Sequence, residues 1–489
     1  MTDLRGVQLV GWLPVVGLAG VVLYVGWLSL PWPLIHDAPI LHYVAWRISQ
    51  GAVPYRDLFD MNFPGAYLLH LVVLKTLGGG DTAWRLFDLL WLALTSWLVA
   101  ALARPWGRLA AIGGALFFAA YHLGGGAWQA GQRDFLLCPF LLAGALGVAR
   151  WNERGEGGAL LVGGLALGAG VTIKPHAAVF ALALLLLLAM PASGASRRRA
   201  VATFAGGLLA LPLAIVAWLA TVGGLGAWRE IVFDYLLPLY SRLGRPDSWT
   251  VYRWSLWPFI AVALAISIGH TLAARRLTFR HVVVLVGLGY GVLHHVGQGK
   301  GWEYHLYPLA AFAAVLLCSE VAAVLRARPA VLGAPLVAAL AILTVLLGRT
   351  GAVTADAHWI WDKERLVRVL SFDLEGGLRP GDLVQVLDTS DGGVHALLRL
   401  GLVEPTRFLY DFHFFHDTDR PVIRALRAEF IAGLDLAPPR FIVLFRRGWP
   451  SGREARIKGF PELVRLLADR YAIAVGRPDY ILYVKRDGS

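Results

Sequence analysis

Residues 31–64, PWPLIHDAPILHYVAWRISQGAVPYRDLFDMNFP, decide how this chain is read. They follow the first long apolar run and carry Asp37, Asp57 and Asp60 among aromatics and prolines, while the chain around them, up to about residue 350, is mostly hydrocarbon. A chain that crosses a membrane repeatedly and gathers carboxylates just outside its first crossing is expected to do chemistry at that face.

Composition agrees. Hydrophobic residues make up 57% of 489 and charged residues 16%, against about 25% charged in an average soluble protein. Apolar runs of about twenty residues, enough to cross roughly 30 Å of hydrocarbon, recur from Gly11 to Gly348. The first run, Leu9 to Leu30, is too long for the apolar region of a signal peptide and lacks a small-residue cleavage site, so it reads as a span. Cys138 and Cys318 both sit inside apolar runs and read as small buried hydrophobes, without a disulfide framework or metal-ligand spacing.

The net charge of +12 does not mark a nucleic-acid binder. Much of the Lys/Arg excess lies in short connections between apolar runs, and no basic stripe with interleaved aromatics occurs on a polar segment. The runs read as about eleven helices, at 9–30, 83–103, 108–123, 135–149, 158–172, 177–191, 200–221, 255–273, 281–297, 305–324 and 330–348. With a cytoplasmic N-terminus, every inside turn is basic: Arg104 and Arg108, Arg150 and Arg154, Arg197 to Arg199, Arg275, Arg276 and Arg280, Arg326 and Arg328. That is the charge bias that orients membrane proteins. Residues 63–77 would break the alternation if they crossed. At about fifteen residues, with His70 and Lys75, they read as a helix lying in the outer interface, and Ile40 to Gln50 as a second one.

The outward-facing polar residues then include Asp37, Asp57, Asp60, Arg85, Arg133-Asp134, Lys174-Pro175-His176, the loop 223–253, and the run from Gln298 through Lys300, Glu303 and Tyr304 to His305. Charges at span ends are costly unless they meet a cavity or a partner, which makes each a candidate; snorkelling to the interface is the plainer reading of any single one. From about Val353 to Ser489 the composition becomes charged and mixed. GDLVQVLDTS, RFIVLFRR and YILYVKR read as strands, with PVIRALRAEFIAGL and FPELVRLLADRY as helices between them, giving a soluble α/β domain. The expected division is a transmembrane catalytic module over 1–350 and an outer domain over 351–489. No Gly-rich phosphate loop marks that domain. Its YDFHFFHD cluster, Tyr410 to Asp417, reads as aromatic packing against the membrane module, with a metal site as the alternative.

An N-in first span followed by an outer loop with an early aspartate and the pattern G-x-x-P-Y-x-D-x-F-x-x-x-x-P-G (Gly51 to Gly65) resembles the GT-C glycosyltransferases. Within them it is similar to the protein-mannosyltransferase-like branch, glycosyltransferase family 39-like, that includes the lipid A aminoarabinose transferase. Arg85-Leu-Phe-Asp88, Arg133-Asp134 and Lys174-Pro175 add to the resemblance, which covers about residues 10–350. Two features depart from it: His36-Asp37 stands where many relatives have an acidic pair, and QGKGWEYHLYP matches no motif of the group.

The resemblance implies an inverting hexosyl- or pentosyltransferase that uses a polyprenyl-phosphate sugar at the periplasmic face of a bacterial inner membrane. The acceptor would be a lipid, a glycan or a protein. Such a reaction needs a carboxylate to take the acceptor proton and cations to hold the departing phosphate. Asp37 is assigned as base by its closeness to the first span, with Asp57 and then Asp60 behind it. Helix capping or pairing with Arg56 is the structural reading of these two. Asp134 is a supporting carboxylate, orienting Arg133 or a divalent ion, and metal dependence stays open. Lys174, Arg85, Lys300 and Arg133 are phosphate candidates with His176 and His305 as neighbours; Glu303 and Tyr304 are further candidates. A transporter, or a glycan ligase or polymerase using the loop Trp228 to Arg253, are the alternatives.

Overall fold

The computed structural model describes residues 4–190, 195–246, 256–273, 275–327, 330–449, 452 and 454–486. The end of the 223–253 loop, with Arg253, and the inside-turn Arg328 lie outside them. Helices α1 Leu4–Leu28, α2 Asp37–Ser49, α3 Pro64–Thr76, α4 Asp81–Ala103, α5 Arg108–Gly124 and α6 Arg133–Arg154 come first. Next are α7 Gly157–Ile173, α8 Ala177–Ala189, α9 Ala195–Thr221 and the short α10 Leu225–Glu230, which runs into a π-helical stretch, Ile231–Tyr240. Then follow α11 Trp257–Ala273, α12 Phe279–Gln298, a 3-10 turn Glu303–Leu306, α13 Tyr307–Ala327, α14 Ala330–Ala355 and α15 His358–Glu375.

Each span read from hydropathy is thus a helix to within a few residues, except that α14 runs on to Ala355. Among the described residues seven helices are long and apolar enough to cross a membrane, and α7, α8 and α11 are shorter apolar helices. The first outer loop folds as the two helices expected of it, α2 and α3, of 13 residues each. Neither has the length of a crossing.

The chain divides into two compact units. The membrane unit takes Met1–Trp32, Asp81–Ile215 and Pro246–Ala357. Its helices approach closely through small residues: a Cβ added to Gly147 of α6 would lie 2.4 Å from the Ala159 carbonyl of α7, and one on Gly168 of α7 would lie 2.4 Å from the Leu208 carbonyl of α9. Side-chain-free contacts of this kind let apolar helices pack where lipid offers no hydrophobic driving force.

The second unit joins Pro33–Gly80 and Val216–Arg245 to the C-terminal segment His358–Ser489. Its sheet is β1 Val384–Leu387, β2 Phe441–Phe445, β3 Tyr471–Gly476 and β4 Tyr480–Lys485, in the order β1-β2-β4-β3. β1 and β2 are parallel, pairing Val384 with Phe441 through Leu387 with Leu444, and the other pairs are antiparallel. Helices α16 Gly393–Leu400, α17 Pro421–Leu436 and α18 Pro461–Arg470 lie between the strands in sequence. Three strands and both longer helices were legible. β3 was not, because α18 ends at Arg470 and the strand begins at Tyr471 with no turn residue between them. The first outer loop packs into this unit: the Phe59 N–H donates to the Arg407 carbonyl at 2.6 Å, and the Phe59 ring meets Phe408 and His413 at 5.4 and 4.7 Å. The YDFHFFHD segment is aromatic packing. His413 and His416 lie 2.8 and 2.9 Å from the Tyr235 hydroxyl, and Phe412 and Phe414 are buried.

Candidate active site

In the membrane unit, α6 and α7 form a hairpin. Gly155, at φ 71°, ends α6, and α7 starts at Gly157. The fold-back sets the first turn of α6 beside the end of α7, so Asp134 meets Lys174 across 40 residues of sequence. Pro175 stops the helix and leaves Lys174 extended. The Lys174 ammonium lies 2.8 and 3.0 Å from the two Asp134 oxygens and donates to Gln298 Oε1 at 2.6 Å. α12 supplies His294 and Gln298, which share a helix face at the i, i+4 spacing. His294 Nε2 is 2.6 Å from Asp134, its Nδ1 3.1 Å from the Tyr290 hydroxyl, and Gln298 Nε2 donates to Asp134 at 3.2 Å. Asp134 and His294 are fully buried and Lys174 nearly so. A buried charge this deep persists only when paired and hydrogen-bonded. Asp134, expected to orient Arg133 or a divalent ion, meets Lys174, His294 and Gln298.

Beyond α12, Lys300 sits between Gly299 and Gly301, at φ 63° and 67°, and its ammonium lies 5.4 Å over the Trp302 ring. Glu303, Tyr304 and His305 form the buried 3-10 turn. Tyr304 packs on Trp128, Trp302 and His305 at 6.0, 5.4 and 4.8 Å. His305 and the exposed His176 have their rings 6.5 and 5.6 Å from His294. Half-buried Arg133 opens α6. Among the described residues no group of three or more His, Cys, Asp or Glu side chains is disposed to hold a metal ion.

Arg85 has other company. It pairs with Asp88 one turn along α4, donates to the Ser29 hydroxyl, and lies 4.5 Å over Trp32. Asp88 also accepts from the Gly131 N–H and lies beside His122 Nε2, both at 3.1 Å, while His122 Nδ1 is 2.7 Å from the Tyr307 hydroxyl. Arg85 is therefore one half of a buried ion pair that ties α4 to α5 and α13.

In the second unit, Asp37 is half-buried and opens α2, following His36 at φ 59°, a conformation side chains seldom adopt. Asp57 accepts from the Val53 N–H at 2.8 Å and takes the Arg56 guanidinium at 2.8 and 3.0 Å, which holds its carboxyl below the usual range. Asp60 is buried and braces the loop through the Asn62 N–H and side-chain amide. The Asn62 carbonyl in turn accepts from the Tyr55 and Tyr67 hydroxyls.

Sequence reasoning missed His294, His122 and Tyr307. For His294 a signal existed: with Gln298 it makes a polar i, i+4 pair in an otherwise apolar span. For His122 and Tyr307 nothing local distinguishes a network member from an interfacial residue.

Residues 63–219 match the family described as dolichyl-phosphate-mannose-protein mannosyltransferase. No curated protein matches the chain. Among solved structures, ArnT from Cupriavidus metallidurans bound to undecaprenyl phosphate is similar, with a TM-score of 0.62 and 12% identity over 97% of this chain and 98% of that one. The apo state of ArnT gives 0.59 and 12%, over 96% and 97%. The Archaeoglobus fulgidus oligosaccharyltransferase, tethered with an acceptor peptide containing the NVT sequon, gives 0.51 and 13%, over 97% and 74%. At these identities the likeness establishes the fold, and it does so over nearly the whole chain.

Proposed function

We propose that this multi-pass membrane protein, whose fold is that of the GT-C glycosyltransferases, is an inverting transferase moving a sugar from a polyprenyl phosphate to an acceptor. The acceptor hydroxyl attacks the anomeric carbon as the carbon–phosphate oxygen bond breaks. Its proton goes to a carboxylate, and the polyprenyl phosphate leaves with the bonding electrons. Asp37 is the base, as the carboxylate nearest the end of the first span; Asp57 and Asp60 build the loop's own turns. Lys174, Lys300 and Arg133 are the cations for the phosphate, and Arg85 is set aside because Asp88, Ser29 and the Trp32 ring together enclose its guanidinium. Asp134, His294 and Gln298 hold Lys174 in place.

The reading is carried by Lys174: an ammonium braced at the end of an apolar helix, in a chain that shares its fold with a protein crystallised with undecaprenyl phosphate. Asp134 meets its charge in this structure, and the lipid phosphate is the second anion proposed for it. The fold likeness does not favour the transporter or ligase alternatives. The sugar, a hexose or a pentose, and the acceptor, a lipid, a glycan or a protein, follow from assay. Purified protein in proteoliposomes, given undecaprenyl-phosphate hexoses and pentoses with such acceptors, should transfer sugar from one of them. Folded protein that neither transfers from any donor nor binds undecaprenyl phosphate would overturn the reading. The orientation proposed has the N-terminus in the cytoplasm and residues 353–489 in the periplasm of a bacterial inner membrane, from the basic inside turns. An expressed but inactive alkaline-phosphatase fusion at Ser489 would count against it.

A further inference from the structure

In the second unit a narrow cleft lies between residues 33–40 and the turn that follows β1. One side is apolar, with Pro33, Leu34, Pro39 and Ile40; the other carries Glu364, Ser390 and Asp391, with Asp388 beneath them. Asp388 builds the turn rather than facing outward: its carboxylate accepts from the N–H groups of Asp391, Gly392 and Gly393, the last at 2.8 Å. Gly392, at φ 135°, allows the chain to close around it. The half-exposed Asp391 carboxylate is thereby fixed at the cleft, 3.4 Å from Lys363, whose ammonium also donates to the Ser390 carbonyl at 2.8 Å.

His395 of α16 lines the same cleft. It is 5% exposed, and among the described residues its ring has no hydrogen-bond partner. Burial keeps the imidazole neutral, its pKa held well below the ordinary value.

We propose that this cleft is the acceptor subsite, and that it takes a neutral or amine-bearing polyhydroxylated headgroup, whether of a free glycan or of a glycolipid. The proposal rests on the transferase reading and names its acceptor class. Four observations select that chemistry. Carboxylates outnumber the single lysine at the cleft, which disfavours a phosphorylated headgroup. A neutral imidazole, a serine and a fixed carboxylate suit hydroxyl donors, and the proline-rich side suits the apolar face of a sugar ring. A peptide adding as a strand finds no free edge on β1: the Val384 N–H donates to the Val403 carbonyl at 3.2 Å and the Val386 N–H to Glu404 at 3.3 Å. Finally, His36 lines the cleft and is followed directly by Asp37, the proposed base.

Saturation-transfer NMR on the full-length protein in nanodiscs, with maltose, glucosamine and glucose 1-phosphate as probes, tests this. Maltose and glucosamine should show contact, with apparent affinity falling at least about fivefold in Asp391→Asn and in His395→Leu, the scale of one lost hydrogen bond. Asp391 is half-exposed, so its variant decides the matter if His395→Leu folds poorly. Sugar contact unchanged in Asp391→Asn, or contact by glucose 1-phosphate alone, overturns the proposal. A glucosyl-diacylglycerol in the nanodisc that competes with maltose marks a lipid-borne acceptor, and failure to compete marks a free glycan. Undecaprenyl-phosphate binding, measured on the same samples, bears on the transferase reading alone: its loss with sugar contact intact would remove that reading and leave the cleft a sugar site.

Discussion

The carboxylates of the two units keep different company. In the membrane unit, Asp134 and Asp88 each sit at the centre of a closed network, paired with Lys174 or Arg85 and flanked by His294 or His122. In the second unit, Asp57 and Asp60 serve turns, and Asp37 opens a helix half-buried. A carboxylate held between a buried cation and a histidine is a poor proton acceptor, since protonation would strand the cation. On the reading proposed above, carboxylates in the apolar bundle position cations and the polar loop supplies the base.

The largest expected effect breaks or confirms that division. Asp37→Asn should lower kcat by about a hundredfold or more, the usual scale of general-base loss, with undecaprenyl-phosphate binding retained. Asp57→Asn and Asp60→Asn should act mainly through thermal stability. Near-normal turnover in Asp37→Asn beside a dead Asp57→Asn would move the base to the second aspartate.

Lys174→Ala comes next. Removing one half of a buried pair leaves Asp134 charged and unmatched, at a cost of about 3–5 kcal/mol, so both the melting temperature and the apparent donor affinity should fall. Adding Asp134→Asn should recover part of the stability and none of the donor affinity. If donor affinity returns with stability, Lys174 is a structural cation only.

These contrasts also show what the sequence could reveal. The spans were legible because hydropathy and the basic inside turns each constrain them, and the α2 and α3 helices because Phe63 to Leu77 is too short to cross. Asp37, Lys174 and Lys300 stood out as charges at span ends. The pairing of Lys174 with Asp134 did not, since it depends on where the α6–α7 hairpin closes, which glycines such as Gly147 decide through backbone approach. Arg85 drew attention as an exposed-looking cation, and only the packing of α4 reveals that Asp88, one turn away, already answers it.

A smaller effect is expected at Lys300. Its ammonium lies over Trp302, a contact worth about 1 kcal/mol, on a backbone that two glycines leave less constrained. Lys300→Ala should weaken donor binding severalfold while moving the melting temperature little. An unchanged donor affinity would confine phosphate binding to Lys174 and Arg133.

The last effect leaves donor binding aside: it concerns acid stability and should arise in the second unit. His42 of α2 lies buried with its Nδ1 2.6 Å from that of His70 on α3, and burial pushes its pKa down from 6.5 to about 4. Above pH 6.5 the imidazole is neutral both folded and unfolded and contributes nothing to pH dependence. As pH falls below 6.5, the unfolded chain takes up a proton that the folded chain refuses until about pH 4. Stability should therefore decline across that window, by about 1.4 kcal/mol per pH unit at most. Asp388 opposes it: its carboxyl, raised to about 6 by burial, binds a proton more readily folded than unfolded and gains stability as pH falls. His395 and His413, likewise held neutral by burial, add to the decline, and Glu404 and Asp411, raised by burial, oppose it. His42→Gln keeps a polar side chain and removes the titration, so its melting temperature between pH 6.5 and 4 should fall less than that of the wild type. Parallel curves for the two proteins would assign the acid sensitivity to other groups and leave the α2–α3 pair a packing contact.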